Sequence, residues 1–274
     1  MKQFKEMEMN EKERYLFDLN GYLVIPNALS KQQVTSLNKI LDEYIESECS
    51  EQMNTYRFDR GPSYKSLLNW GKEYSELIDN PTVTPYLTEV LGNEFRLDHL
   101  YLDIIKSGKG PIGTRLHGGP FPVKAHEFFR FADGKMYNGL SVIAYNLKNV
   151  SPKDGGFGCV PGSHKSNYHF PEDWKEMDTL SPIVEPVTGP AGTAVIFTEA
   201  LTHGTLPWIG LDERRTLFFK YSPSSIAWAT DYLNPNDYQN LSDSQKNILE
   251  GPNARYQYKS SGGKVEFHKK RKKE

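Results

Sequence analysis

Two periodicities divide the chain. From residue 10 to residue 92 apolar positions recur at helical spacing. Tyr15, Leu16 and Leu19 share one face of a first helix, which Gly21 stops after Asn20. Ser30 and Gln33 form a capping box ahead of a stronger helix, with Val34, Leu37, Leu41, Tyr44 and Ile45 on one stripe. Asn80-Pro81 supplies an N-cap and a first-turn proline for a further helix, closed by Gly92. Between the first two helices, Tyr22–Ile25 is a short apolar run ended by Pro26 and reads as a strand. Residues 49–72 have mixed polarity around Gly61-Pro62 and read as loop with short helices. From Phe95 onward the pattern turns strand-like. Residues 95–105 alternate, and LSVIAYNL (140–147), AVIFT (194–198) and RTLFFKY (215–221) are compact apolar runs. Glycine-rich turns lie around 154–158 and 161–163. Helices before residue 95 and strands after it predict an α+β chain with a mainly β, antiparallel core, not an alternating βαβ chain. We expect one domain over 1–274: a helical part at about 10–92, a β core at about 95–225 and a C-terminal extension at 226–274. That extension ends in the basic tail HKKRKKE, expected to be solvated.

Composition narrows the function. Aromatic residues make up 12% of the 274, with 16 Tyr and 14 Phe, which suits a β core with large side chains. A net charge of −2 argues against an electrostatic nucleic-acid binder. No run approaches the length of a membrane span, and the polar N-terminus does not resemble a secretory signal. Cys49 and Cys159 cannot form a disulfide framework, so we expect a reducing, cytoplasmic location.

The candidate chemistry rests on four residues. His117, in Arg-Leu-His-Gly-Gly-Pro, and His203, in Thr-His-Gly-Thr, stand at expected strand ends with small neighbours that leave room for a metal. Arg214 and Thr216 lie on one face of the strand that follows. A guanidinium fork beside a hydroxyl suits a carboxylate. Taken alone, Arg214 could form a surface pair with Asp212 or Glu213, but its spacing from His203 favours the site. Together these residues suggest a metal and a carboxylate-bearing cosubstrate. His99, His126, His169 and His268 are expected to be structural or solvated, and His164, in Pro-Gly-Ser-His-Lys, to order a hairpin. Trp208 and Trp228 flank the expected site, as core or as pocket lining.

Three segments, FDLNGYLVIPNALSKQQVTSLNKILDEY, NLKNVSPKDGGFGCVPGSHKSN and GPAGTAVIFTEALTHGTLPW followed by RRTLFFKYSP, resemble the phytanoyl-CoA dioxygenase-like family. The resemblance runs in order from about residue 14 to about residue 225. It implies a double-stranded β-helix (a jelly roll, cupin-like) with N-terminal helices packed outside. It also implies Fe(II), 2-oxoglutarate and O2, with iron held by a His-x-Asp pair and a distal His, and an Arg on the far carboxylate of 2-oxoglutarate. Carried over, His117 is the first ligand, His203 the distal one and Arg214, with Thr216, the cosubstrate anchor, Arg215 pointing outward. One position departs from the family: Gly119 stands where the carboxylate belongs. Three readings follow. Another acid, Glu127, Asp133 or Glu199, supplies the oxygen ligand; Glu199 could instead orient His203 from behind. Or an anion such as chloride fills the gap, as in related halogenases. Or the chain is a non-catalytic small-molecule binder. The expected activity is a dioxygenase that hydroxylates a small organic molecule with decarboxylation of 2-oxoglutarate, without nucleic-acid or membrane partners.

Overall fold

Strand β11 (Arg214–Pro223) shows why the chain folds as it does. Leu217, Phe219 and Tyr221 point to one side and join the main apolar core, while Thr216, Phe218 and Lys220 point to the other. A strand buried on both faces belongs in the middle of a covered sheet. The computed structural model, which describes residues 8–48, 55–58, 66–108, 115–176, 182–254, 256–261 and 264–269, places it there. Its neighbours are β6 (Ser141–Asn146) and β3 (Phe95–Ile105). The sheet runs outward through β9 (Ala194–Thr198) to β1 (Tyr22–Ile25) on one side and to β2 (Thr55–Phe58) on the other, antiparallel throughout. A second antiparallel sheet, in the order β10 (His203–Leu206), β7 (Gly156–Cys159), β8 (Glu185–Pro186), faces it. Phe157 and Cys159 of β7 meet Val142, Val195, Phe197 and Phe218 between the sheets. The rings of Phe157 and Phe197 lie 4.5 Å apart. Two facing antiparallel sheets, with the chain passing between them, make the expected jelly roll.

Helices cover the other face of the large sheet. Leu37 and Leu41 of α2 (Lys31–Glu48), Tyr74 of α3 (Lys72–Ser75) and Leu87 of α4 (Thr84–Leu91) join its apolar residues. The Ser30 capping box forms, with Ser30 N–H donating to Gln33 at 2.9 Å and Gln33 N–H to Ser30 at 3.2 Å. The C-terminal part packs on the same body: Leu241, Ile248 and Leu249 lie in the main core, and Arg96 Nε donates to the Glu250 carbonyl at 3.1 Å.

Several local expectations change. Tyr15, Leu16 and Leu19 share a face of α1 (Glu11–Asn20), but it is the exposed one; Phe17 is the residue the helix buries. Asn80 does not open α4. Its side chain accepts from Thr82 N–H at 2.9 Å and donates to the Ala28 carbonyl at 3.1 Å, closing a turn, and the helix starts at Thr84 with Pro85 in its first turn. The region read as loop contributes β2 and a 3-10 turn at Leu67–Asn69, while Cys49, Gly61 and Pro62 lie outside the described residues. A hairpin of β4 (Phe129–Ala132) and β5 (Lys135–Asn138) was not anticipated. At the C-terminus β12 (Tyr256–Ser261) pairs with β13 (Lys264–Lys269), so His268 and Lys269, the first two residues of the basic tail, are in a strand; residues 270–274 lie outside the described residues. Among the described residues no helix is long and apolar enough to cross a membrane.

His164 lies in a 3-10 turn, Ser163–Lys165, rather than in the expected hairpin, and ties that turn to the end of α1. It is fully buried, its Nε2 lies 3.0 Å from the Asp18 carbonyl, and its ring meets Phe129 edge-on at 4.6 Å. Burial and the neighbouring Lys165 charge lower its pKa to about 4. In the unfolded chain the same group titrates near 6.5. The unfolded state therefore takes the proton first as pH falls, and stability is lost between about pH 6.5 and 4. Urea unfolding of the parent and His164→Gln should show the parent's advantage shrinking by about 3 kcal/mol across that window. The same pH slope in both proteins would remove His164 as the cause.

Candidate metal and cosubstrate site

A tight turn after β9 brings the central residues together. Thr198 accepts from Leu201 N–H through its carbonyl at 2.9 Å and from Ala200 N–H through its hydroxyl at 3.3 Å. Glu199 and His203 thereby lie side by side, with Oε2 3.9 Å from Nε2. His203 Nδ1 lies 2.7 Å from the Leu201 carbonyl, which fixes the proton on Nδ1 and leaves the Nε2 lone pair free to face Glu199. His117 arrives from a separate segment and exchanges two backbone hydrogen bonds with His203, each 2.8 Å. That close approach depends on Gly118, whose φ is +81°. A Cβ there would lie 2.2 Å from the Leu201 carbonyl oxygen. His203 stands at a strand end, as the first residue of β10, whereas His117 belongs to no strand and sits in an isolated bridge beside it.

The result is a cluster in which ligand atoms of His117, Glu199 and His203 all lie within 4.8 Å of one another. Burial and the adjacent His117 ring push the His203 pKa down to about 3. His117 is lowered too, chiefly because its ring is crowded by protein although one side stays open to solvent. Burial would raise Glu199, but the Lys220 ammonium and the two imidazoles outweigh it and hold the carboxyl at about 2. Neutral imidazoles and an ionised carboxylate are the protonation states in which these groups bind a divalent metal.

Of the three acids weighed for the missing ligand, only Glu199 reaches the histidines among the described residues. Glu127 takes Lys124 Nζ at 2.5 Å and lies 3.4 Å from His126. Asp133 is an exposed turn residue between β4 and β5, with φ +51°. Gly119 has φ +94°, and a Cβ on it would come within 3.2 Å of Thr202 Oγ1. A side chain there is strained.

Arg214 and Thr216 lie on the inner face of β11 and are buried, with Arg214 Nε and Nη1 and Thr216 Oγ1 lacking hydrogen-bond partners among the described residues. Burial lowers the Arg214 pKa to about 10, opposed by the Asp103 carboxylate. Glycine at position 156 leaves space beside the guanidinium, since a Cβ there would lie 3.1 Å from Arg214 Nε. Arg215 takes the other direction, donating to Asn38 at 2.9 Å, Asp42 at 2.6 Å and Glu213 at 2.5 Å. The surface pairing considered for Arg214 thus belongs to Arg215. Buried donors without acceptors are costly and mark a place for an anion. Two imidazoles and a carboxylate suit iron(II), and the orphaned guanidinium and hydroxyl suit the cosubstrate carboxylate, so the residues fit both groups.

Sequence reasoning missed the wall beside this cluster. Lys220 Nζ donates to Glu199 Oε1 at 2.5 Å. Asp98 is the extra residue of a β-bulge opposite Lys220 and Tyr221. Its carboxylate accepts from Arg96 at 2.8 Å and from Trp228 N–H at 2.9 Å, and lies 2.7 Å from His99 Nδ1. His99, buried as a structural residue, is thereby held against Trp228, their centroids 4.7 Å apart. Trp208 is core, packed with Ile105 and Val150.

Fold and cluster together define a jelly-roll protein with a His-Glu-His group suited to a divalent metal. The family model for phytanoyl-CoA dioxygenase (PhyH) matches residues 17–216. The chain belongs to that family and is an iron(II)/2-oxoglutarate-dependent dioxygenase. A curated relative, the probable alpha-ketoglutarate-dependent hypophosphite dioxygenase of Stutzerimonas stutzeri, is 24% identical over 260 residues, 84% of each chain. The fold is shared with HygX from Streptomyces hygroscopicus. The HygX structure with nickel and 2-oxoglutarate has a TM-score of 0.69 at 23% identity, covering 80% of this chain and 88% of that one. The structure with hygromycin B also bound has a TM-score of 0.68 at 22% identity, covering 80% and 89%.

Proposed function

We propose that His117, His203 and Glu199 hold iron(II), that Arg214 and Thr216 bind the far carboxylate of 2-oxoglutarate, and that the enzyme hydroxylates a small organic molecule. One observation carries the reading: the inner face of β11 presents orphaned donors at Arg214 and Thr216 in the same jelly-roll interior as the two-histidine, one-carboxylate cluster. Iron(II) with 2-oxoglutarate supplies the oxidising chemistry, O2 and the cosubstrate being converted to succinate and CO2 as a substrate C–H becomes C–OH. The protein's part is to keep His117 and His203 neutral, to hold Glu199 ionised and to orient the cosubstrate through a guanidinium fork. Glu199 supplies the carboxylate lacking at Gly119, so hydroxylation needs no exogenous anion, and neither site nor relatives support chloride. The binder alternative gives way to the family. The small molecules named for the relatives, hypophosphite and hygromycin B, support a small-molecule substrate. The free, buried Cys159 suits a cytoplasmic enzyme, and a core running from Met9 to Leu249 suits one domain.

The test is anaerobic addition of iron(II) and 2-oxoglutarate, followed by the visible band of their chelate. The parent should show it, and His203→Ala should not. With O2 and candidate substrates, a product gaining one oxygen in chloride-free buffer supports hydroxylation. No band in the parent, or product only with chloride, sinks the reading.

A further inference from the structure

Lys220 is a polar neighbour of the cluster that the ligand set does not use, and its geometry is specific. Lys220 is 9% exposed, on the inner face of β11, opposite Val142 on one side and His99 on the other. Its ammonium sits 5.5 Å from the centre of the Tyr101 ring and donates to Glu199 Oε1 at 2.5 Å. The other oxygen of the same carboxylate, Oε2, is the one 3.9 Å from His203 Nε2. The two oxygens of Glu199 thus have separate assignments, one to the ammonium and one to the cluster.

Coordination arithmetic gives that division a purpose. Two imidazoles and one carboxylate oxygen fill three positions of a six-coordinate iron(II) and leave three open. A 2-oxoglutarate chelate takes two, leaving one for O2. A carboxylate bound through both oxygens would occupy a fourth position, and cosubstrate and O2 could no longer both fit. Carboxylates bind metals in either mode, so something must choose. We propose that Lys220 is a positioning residue: by holding Oε1 it confines Glu199 to one-oxygen coordination and keeps the cosubstrate's position open. This rests on the metal reading above and goes beyond it, because it assigns a role to a residue that touches neither metal nor cosubstrate.

The experiment uses Co(II) as the metal probe, without O2, on the full chain. Co(II) and then 2-oxoglutarate are titrated into the parent, His203→Ala, Lys220→Met and Lys220→Arg, with folding checked by circular dichroism. Lys220→Met removes a like charge and frees Oε1. Co(II) should bind about tenfold tighter or more, while 2-oxoglutarate binds about tenfold weaker. Lys220→Arg keeps the charge but offers a fork that engages both carboxylate oxygens, so Co(II) should bind about tenfold weaker. A residue that served only to neutralise Glu199 would be rescued by Arg, and one that served only packing would lower the melting temperature without moving either affinity. Either result overturns the proposal, as does a Lys220→Met protein with tighter Co(II) but unchanged 2-oxoglutarate binding. If Lys220→Met does not fold, the weakening in Lys220→Arg decides. A parent that takes no Co(II), or a His203→Ala that binds it like the parent, overturns the metal reading itself. A normal parent with Lys220 variants at parent values overturns the Lys220 role alone.

Discussion

Glu199→Gln is expected to lower Co(II) or iron(II) affinity by about 100-fold or more and to abolish turnover, because the variant removes the carboxylate of the proposed ligand set. The metal-free protein should suffer too. Glu199 is the hydrogen-bonded counterion of Lys220, and both are buried. Removing one side of such a pair costs about 3–5 kcal/mol, because an unpaired charge is left behind. The melting temperature should therefore fall before any metal is added, and added metal should restore less of it than in the parent. Glu127→Gln and Asp133→Asn serve as controls. The first acid is engaged with Lys124 and the second is exposed in a turn, so both variants should bind metal like the parent. Metal binding by Glu199→Gln at the parent's affinity would remove Glu199 from the ligand set.

The same cluster shows how far the sequence carries. The inner face of β11 was legible because strands alternate: Arg214 and Thr216 had to share a side, and Arg215 the other. His117 and His203 stood out by their glycine neighbours and by resemblance. Glu199 was visible as one acid among three and as a residue placed to orient His203, not as the ligand in particular. What selects it is the turn at Thr198–Leu201, whose hydrogen bonds place positions 199 and 203 side by side. Lys220 gave no signal, since a lone lysine in an apolar strand reads as a solvent-facing residue and its partner lies 21 residues away. Asp98 was hidden by the bulge, which breaks the alternation on which strand reading depends. The first helix misled for a related reason. Tyr15, Leu16 and Leu19 form a genuine apolar face, but amphipathicity names a face without saying which side meets the protein, and Phe17 is the residue that α1 buries.

Arg214→Met should produce an opposition of effects that a structural arginine would not. The parent buries a guanidinium whose Nε and Nη1 lack acceptors among the described residues, and burial already depresses its pKa to about 10. Replacing it by an apolar side chain of similar length removes that desolvation cost, so the metal-free variant should melt no lower than the parent. Affinity for 2-oxoglutarate should nevertheless fall steeply. A carboxylate that loses its buried partner loses about 2–5 kcal/mol, or roughly 30- to several-thousand-fold. Arg215→Met should show the reverse. It breaks the bonds to Asn38, Asp42 and Glu213 and should cost about 1–3 kcal/mol of stability, with 2-oxoglutarate affinity unchanged. Thermal melts in the absence of cosubstrate, together with anaerobic 2-oxoglutarate titrations of the metal-loaded proteins, read both quantities. If Arg214→Met lowers the melting temperature and leaves 2-oxoglutarate binding intact, the guanidinium belongs to the scaffold and the cosubstrate carboxylate is bound elsewhere.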